Sequence, residues 1–99
     1  MNEQIIKNLR DIILNIENLK INYGKTDWIT ATGEQQAYRS CITNMMRNDV
    51  ADILDKKAKI QKLSNLLEAE IDDGKERNKY WLIGWHNAID NLRFKQEKF

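Results

Sequence analysis

The chain contains no proline. Proline stops helices more firmly than any other residue, because its ring fixes φ and it lacks the N–H that would continue the hydrogen-bond ladder. With only four glycines besides, little in the sequence forces the backbone to break, and long helices are what such a chain is free to form. The placement of apolar residues then decides where they lie.

The clearest run opens the chain. Ile5, Leu9, Ile12, Ile16, Leu19 and Tyr23 recur at steps of four and three, a spacing that keeps one stripe facing a neighbouring helix. Ile6 and Ile13 widen the stripe, as packing inside a bundle requires. Gly24 is placed to end this helix in the left-handed conformation that glycine enters at least cost. Residues 25–33 read as a Thr-rich linker holding Trp28 and Ile29. Thr32, with Gln35 three positions on, then reads as a capping box that opens a second helix.

From Tyr38 through Cys41, Ile42, Met45, Met46, Val50, Ile53, Ile60, Leu63 and Leu67 to Ile71 the helical spacing continues. One unbroken helix of this extent would reach about 60 Å at roughly 1.5 Å per residue. It would protrude from a compact domain and would call for a second copy of the chain to cover it, a homodimer. The alternative is a break near Arg47-Asn48-Asp49 with Asp49 as the new cap, and this is the reading preferred here. Asp73 with Glu76 then reads as the cap of a last helix, with Gly74 in its first turn. Tyr80, Trp81, Leu82, Ile83, Trp85, Ala88, Ile89 and Leu92 make that helix apolar almost all round, which predicts a central position, and Gly84 would admit a neighbour closely.

The expectation is therefore one all-α domain over residues 1–99, a small bundle of three or four helices at about 3–22, 33–47, 49–72 and 75–96, the middle two fused or kinked. The segments Tyr38-Arg39-Ser40-Cys41-Ile42-Thr43-Asn44-Met45 and Trp85-His86-Asn87-Ala88-Ile89-Asp90-Asn91-Leu92 also match in pattern. Similar contacts in a bundle account for that as well as a duplication does.

Charge and chemistry narrow the function classes. Net charge is +1, which argues against a general nucleic-acid binder. Cys41 is the only cysteine, so no internal disulfide can form and a reducing compartment is the simpler setting. The first residues lack the apolar core of a signal peptide, and no stretch approaches the roughly 18–20 apolar residues of a membrane span. A soluble, cytoplasmic protein with no membrane partner is expected. His86 stands alone, no phosphate-binding glycine loop or zinc-ligand spacing is present, and Cys41 on an apolar face reads as core. No catalytic residue, metal or cofactor is implied, and the chain is expected not to be an enzyme.

Binding surfaces remain. Trp28, in a polar linker, is a candidate contact for a protein partner, since Trp supplies many interface hot spots; folding back to close the end of the bundle is the preferred reading. Glu68, Glu70, Asp72 and Asp73 form an acidic knot that either caps helices or meets a basic, nucleic-acid-processing protein. Lys56, Lys57, Lys59 and Lys62 form a basic stripe that is either a solvated face or, in the alternative reading, a direct nucleic-acid contact. The run Arg93-Phe94-Lys95-Gln96-Glu97-Lys98-Phe99 reads as a frayed or a docking tail.

The segment Tyr80-Trp81-Leu82-Ile83-Gly84-Trp85-His86-Asn87-Ala88-Ile89-Asp90-Asn91-Leu92 resembles the last helix of small phage and prophage accessory proteins, with an aromatic, a Gly-aromatic pair, Ala-Ile and a large apolar residue in order. The resemblance covers thirteen positions and transfers no site residue. It implies a non-enzymatic protein that binds a host protein, such as a CRISPR-type defence effector or a regulatory protein, and inhibits it by surface occupation. An immunity or antitoxin-type helical bundle and a small nucleic-acid-associated regulator are the other readings.

Overall fold

The computed structural model describes all residues, Met1–Phe99, and contains helices and turns but no strand. The helices are α1 (Asn2–Lys20), α2 (Lys25–Asn44), the single turn α3 (Asn48–Ala51), α4 (Lys56–Ile71) and α5 (Lys79–Phe94), followed by a 3₁₀ turn over Gln96–Lys98. The small all-α bundle expected from periodicity is what the chain forms. No helix is long and apolar enough to cross a membrane.

α1 and α2 run antiparallel, with Glu17 meeting Gln35 and Lys20 meeting Thr32. α2 lies along α5, and α4 packs on α5 antiparallel to it. Trp85 Nε1 donates to the Leu67 carbonyl at 2.9 Å, and Arg93 reaches Ser64 and Asn65, both at 3.2 Å. The core gathers Ile5 and Leu9 of α1; Ala37, Tyr38 and Cys41 of α2 with Met45 just past its end; Val50; Ile60, Leu63 and Leu67 of α4; Trp85, Ala88, Ile89 and Leu92 of α5; and Phe99. Each of the two segments matched above places three or four of these on the bundle interior, so shared packing explains their likeness.

The second helix begins eight residues before the expected position. Residues 25–33, read as a linker, form its first turns. Their threonines do not break it, because Thr30 Oγ1 donates to the Thr26 carbonyl at 3.0 Å and Thr32 Oγ1 to the Trp28 carbonyl at 2.8 Å. Hydroxyls bonded one turn back are compatible with a helix, and burial of Ala31 and Gly33 supplies what propensity withholds. Gly24 is accordingly not a left-handed cap of α1. It is extended at φ −72°, ψ 177° and precedes α2. Thr32 and Gln35 are mid-helix and make no capping box.

The middle helix is not continuous, and an argument for a homodimer that rested on a long exposed helix loses its ground. The break after Asn44 falls where it was expected, but Arg47 and not Asp49 is the cap residue of α3, and Asp49 instead binds the Arg47 guanidinium at 2.9 and 3.0 Å. A second, unexpected break follows at residues 52–55. There Asp55 caps α4 by accepting from the Ala58 N–H at 2.9 Å. The last helix starts later than expected: Asn78 caps it, accepting from Tyr80 N at 2.8 Å and Trp81 N at 3.3 Å. Asp73 and Gly74 lie in the preceding loop, where Gly74 takes φ +72°.

The predicted close approach at Gly84 is present and has a partner. A β-carbon on Gly84 would fall 1.8 Å from the Thr30 carbonyl oxygen, and one on Gly33 would fall 2.1 Å from the Trp81 carbonyl oxygen. Each helix thus presents a glycine to the other's backbone, which lets α2 and α5 pack nearer than side chains would allow.

Candidate protein-binding surface

The α1 stripe expected to end in Leu19 and Tyr23 turns away from the core before it gets there. Ile5 and Leu9 are buried and Ile12, Ile13 and Ile16 half-buried, but the inward place in the last turn is taken by Lys20, which is buried. Its ammonium donates to Thr32 Oγ1 and Gln35 Oε1, each at 2.8 Å, and lies 3.6 Å from the Glu17 carboxylate. Gln35 in turn donates to the Ile13 carbonyl at 3.1 Å and to Glu17 at 2.8 Å. That amide and the Lys20 charge hold the Glu17 carboxyl below its ordinary range. Every buried side-chain polar atom in the protein has a partner.

Lys20 also sets Trp28. Its Nζ sits 4.1 Å from the centre of the indole ring, within cation–π range. Trp28 is 48% exposed, and with it at this end of the hairpin stand Leu19 at 52%, Ile21 at 86% and Tyr23 at 40%. Four large apolar side chains within ten residues, one of them pinned against a fixed charge, make an apolar end on a chain whose surface is otherwise rich in charge. Neither folding alternative for Trp28 is met in full, since the ring closes over Lys20 with one side and leaves about half its area to solvent.

The acidic knot is largely engaged inside the molecule. Glu68 is bound by Arg93, Glu70 accepts from Ser40 Oγ at 2.6 Å, and Asp73 receives two bonds from Arg77, both at 2.8 Å, and one from Lys75 N at 3.1 Å. Those bonds hold the Asp73 carboxyl far below the usual carboxylate range, led by the Arg77 guanidinium. Asp72 alone is exposed with no partner. Of the basic stripe, Lys59 is buried and its ammonium binds Asn2 Oδ1 and the Ala51 carbonyl, the latter at 3.2 Å. It is therefore a structural residue tying α1 to α3, and it leaves the stripe. Lys56 and Lys57 are exposed, and Lys62 faces Asp49 at 3.8 Å.

Cys41 is fully buried and burial pushes its thiol well above its ordinary value, so it packs as core. His86 is exposed on α5. A cleft of about 500 Å³ lies among Arg39, Ser40, Glu70, Arg77 and Trp81. The Trp81 ring is taken on one side by Trp85, 5.0 Å away and stacked, and the Arg77 guanidinium lies 5.9 Å from its centre.

The sequence reading singled out Trp28 but missed Lys20, its support. Trp28, Thr32 and Gln35 fall at helical spacing, so a helical reading of residues 25–33 would have put all three on one face and asked what cation met them. Also missed were Asp27 and Glu34, which line a cleft beside the hairpin end, and Asp90, which shares with Glu34 a second cleft running to the end of α5. The fold and this surface define a small helical bundle with an apolar hairpin tip. No family model, curated protein or solved structure matches the chain.

Proposed function

We propose that this chain acts without catalysis, by seating the tip of the α1–α2 hairpin on a partner protein and occupying its surface. The observation that carries the reading is Trp28, a half-exposed indole held by a buried lysine. An aromatic side chain already fixed before binding loses little conformational freedom on docking, so more of its contact energy appears as affinity. Leu19, Ile21 and Tyr23 surround it with apolar area of the kind that marks interaction sites. The resemblance of residues 80–92 to phage accessory proteins directs the choice of partner to a bacterial defence component, a CRISPR-type effector first, or a regulatory protein.

The test is a nuclease-treated pull-down from bacterial lysate, with wild type and Trp28→Ala side by side and the fold of each checked by circular dichroism. A partner recovered at near-stoichiometric yield with wild type and lost with Trp28→Ala, at both low and high salt, supports the proposal. Equal recovery with the variant would sink it. Binding that survives in Trp28→Ala and is lost when Lys56 and Lys57 are both changed to glutamine would instead move the contact to those exposed lysines.

A further inference from the structure

We propose that the groove running from the hairpin tip along α2 to the end of α5 takes a basic, amphipathic helix of the partner protein. This rests on the binding reading above and names the chemistry of what is bound.

Two clefts meet at Glu34. The first, about 290 Å³, has Ile16, Tyr23 and Ala31 as its apolar lining and Asp27 and Glu34 as its charges. The second, about 440 Å³, continues from Glu34 past Asp90 to Phe94, with Lys95 and Lys98 at its rim. Asp27, Glu34 and Asp90 all lack an ion pair, while Glu68, Glu70 and Asp73 of the acidic knot are engaged within the molecule. Glu34 is half-buried. Its one hydrogen bond comes from the Tyr38 hydroxyl at 3.1 Å, and that hydroxyl accepts from Asn91 Nδ2 at 2.8 Å. The relay fixes the carboxylate in place; burial raises its pKa, and Lys98 and Lys95 act on its charge only from beyond ion-pair distance. A half-buried, oriented, unpaired carboxylate flanked by apolar side chains is complementary to a lysine or arginine whose stem lies along that apolar wall.

The occupant's own form follows from the walls. They are faces of α1, α2 and α5 with the turns at Tyr23 and at residues 95–98, and none is a strand, so the groove offers no strand edge to pair with. An incoming backbone must satisfy its own hydrogen bonds, which a helix does. Its apolar face meets Ile16, Tyr23 and Ala31, and its cations meet Asp27, Glu34 and Asp90. Lys95 and Lys98 at the far end favour the negative end of the helix dipole there, which sets a direction.

The probe is a fluorescent peptide about 18 residues long, roughly five helical turns, made of leucine and lysine with the leucines on one face. A scrambled peptide of identical composition is the control. Anisotropy titrations are run on wild type, on the double variant Glu34→Gln/Asp90→Asn, and on Glu76→Gln, which removes an exposed charge outside the groove. The patterned peptide is expected to bind wild type at least about tenfold more tightly than the scramble, and to lose about tenfold on the double variant, as loss of oriented charge pairs at an interface does. Glu76→Gln should bind as wild type does. Equal affinity for the two peptides, or a double variant that binds unchanged, overturns the groove and leaves only diffuse attraction. A parallel pull-down separates the two proposals. A partner that needs Trp28 but not Glu34 and Asp90 overturns the groove alone, whereas one that needs neither removes the hairpin tip as well.

Discussion

Lys20 brings a charge into the seam between α1 and α2, where its ammonium donates to Thr32 and Gln35 and pairs with the Glu17 carboxylate at 3.6 Å. Lys20→Met keeps the stem and removes the ammonium, leaving a buried Gln35 oxygen without its donor. Loss of about 1–3 kcal/mol is expected in urea denaturation, the range for stranding a buried polar group. A loss below about 0.5 kcal/mol would mean that water takes over the contact. Glu34 behaves oppositely. Burial raises its carboxyl above the ordinary value, so the folded protein holds that proton more tightly than the unfolded chain. The associated stability is full below the unfolded pKa and is lost as pH rises through the folded one. Glu34→Gln, which cannot ionise, should therefore match or exceed wild type in stability at pH 7 and lose that advantage near pH 4. Glu17, Asp49 and Asp73 are shifted downward, and their contributions, lost as pH falls, cancel in the comparison of variant with wild type. A pH-independent difference would contradict the burial of Glu34. At this scale Trp28 was legible because a Trp stands out in polar sequence. Lys20 and Glu34 were not, since a charged residue is usually solvated and only contacts between helices show otherwise.

Between elements the tightest contact is that of α2 with α5, and it depends on two glycines facing two backbones. Gly84 was legible as a contact point because it interrupts an apolar helix where nothing local needs a glycine. Gly33 was not, because a run of Thr and Gly looks like a linker unless packing is known. The same misreading moved the start of α2 and made Thr32 look like a cap. The break after Asn44 was visible in the cluster Arg47-Asn48-Asp49, whereas the second break depends on Asp55, one acid among several. Gly33→Ala and Gly84→Ala each gain up to about 1 kcal/mol of helix propensity but force a β-carbon into a backbone carbonyl. Net losses of about 1–3 kcal/mol are expected, as for overpacking elsewhere. Because either substitution already parts the helices, the double variant should cost less than the sum of the singles. Strict additivity in thermal or urea denaturation would show that the two contacts yield independently. Asp55→Ala should cost about 1 kcal/mol through the lost cap, with its effect confined to amide exchange in the first turn of α4.

The whole molecule is compact, with a radius of gyration of 13.3 Å and extents of 40 × 31 × 21 Å, and what closes it is the pairing of its two most distant segments. Phe99 is fully buried. Its ring lies 5.9 Å from that of Tyr38, and its carbonyl accepts from Asn8 Nδ2 at 3.0 Å. The 3₁₀ turn before it brings the chain back over α2, so the run 93–99 packs on its own bundle and is neither a frayed end nor a free docking tail, although Phe94 within it stays exposed. Sequence alone did not offer this outcome, because a single Phe after a charged run carries no periodicity. Phe99→Ala empties the space between α1 and α2 and should cost about 3–5 kcal/mol, the usual range for a buried Phe. A domain of this size has only about 5–15 kcal/mol in total, so a large part of the population should unfold at temperatures wild type withstands. Phe94→Ala is the paired control and should change stability by no more than about 0.5 kcal/mol, as surface positions do. If urea denaturation gave the two variants equal midpoints, Phe99 would not belong to the core, and the closure of the bundle would have to rest on the α1–α2 seam alone.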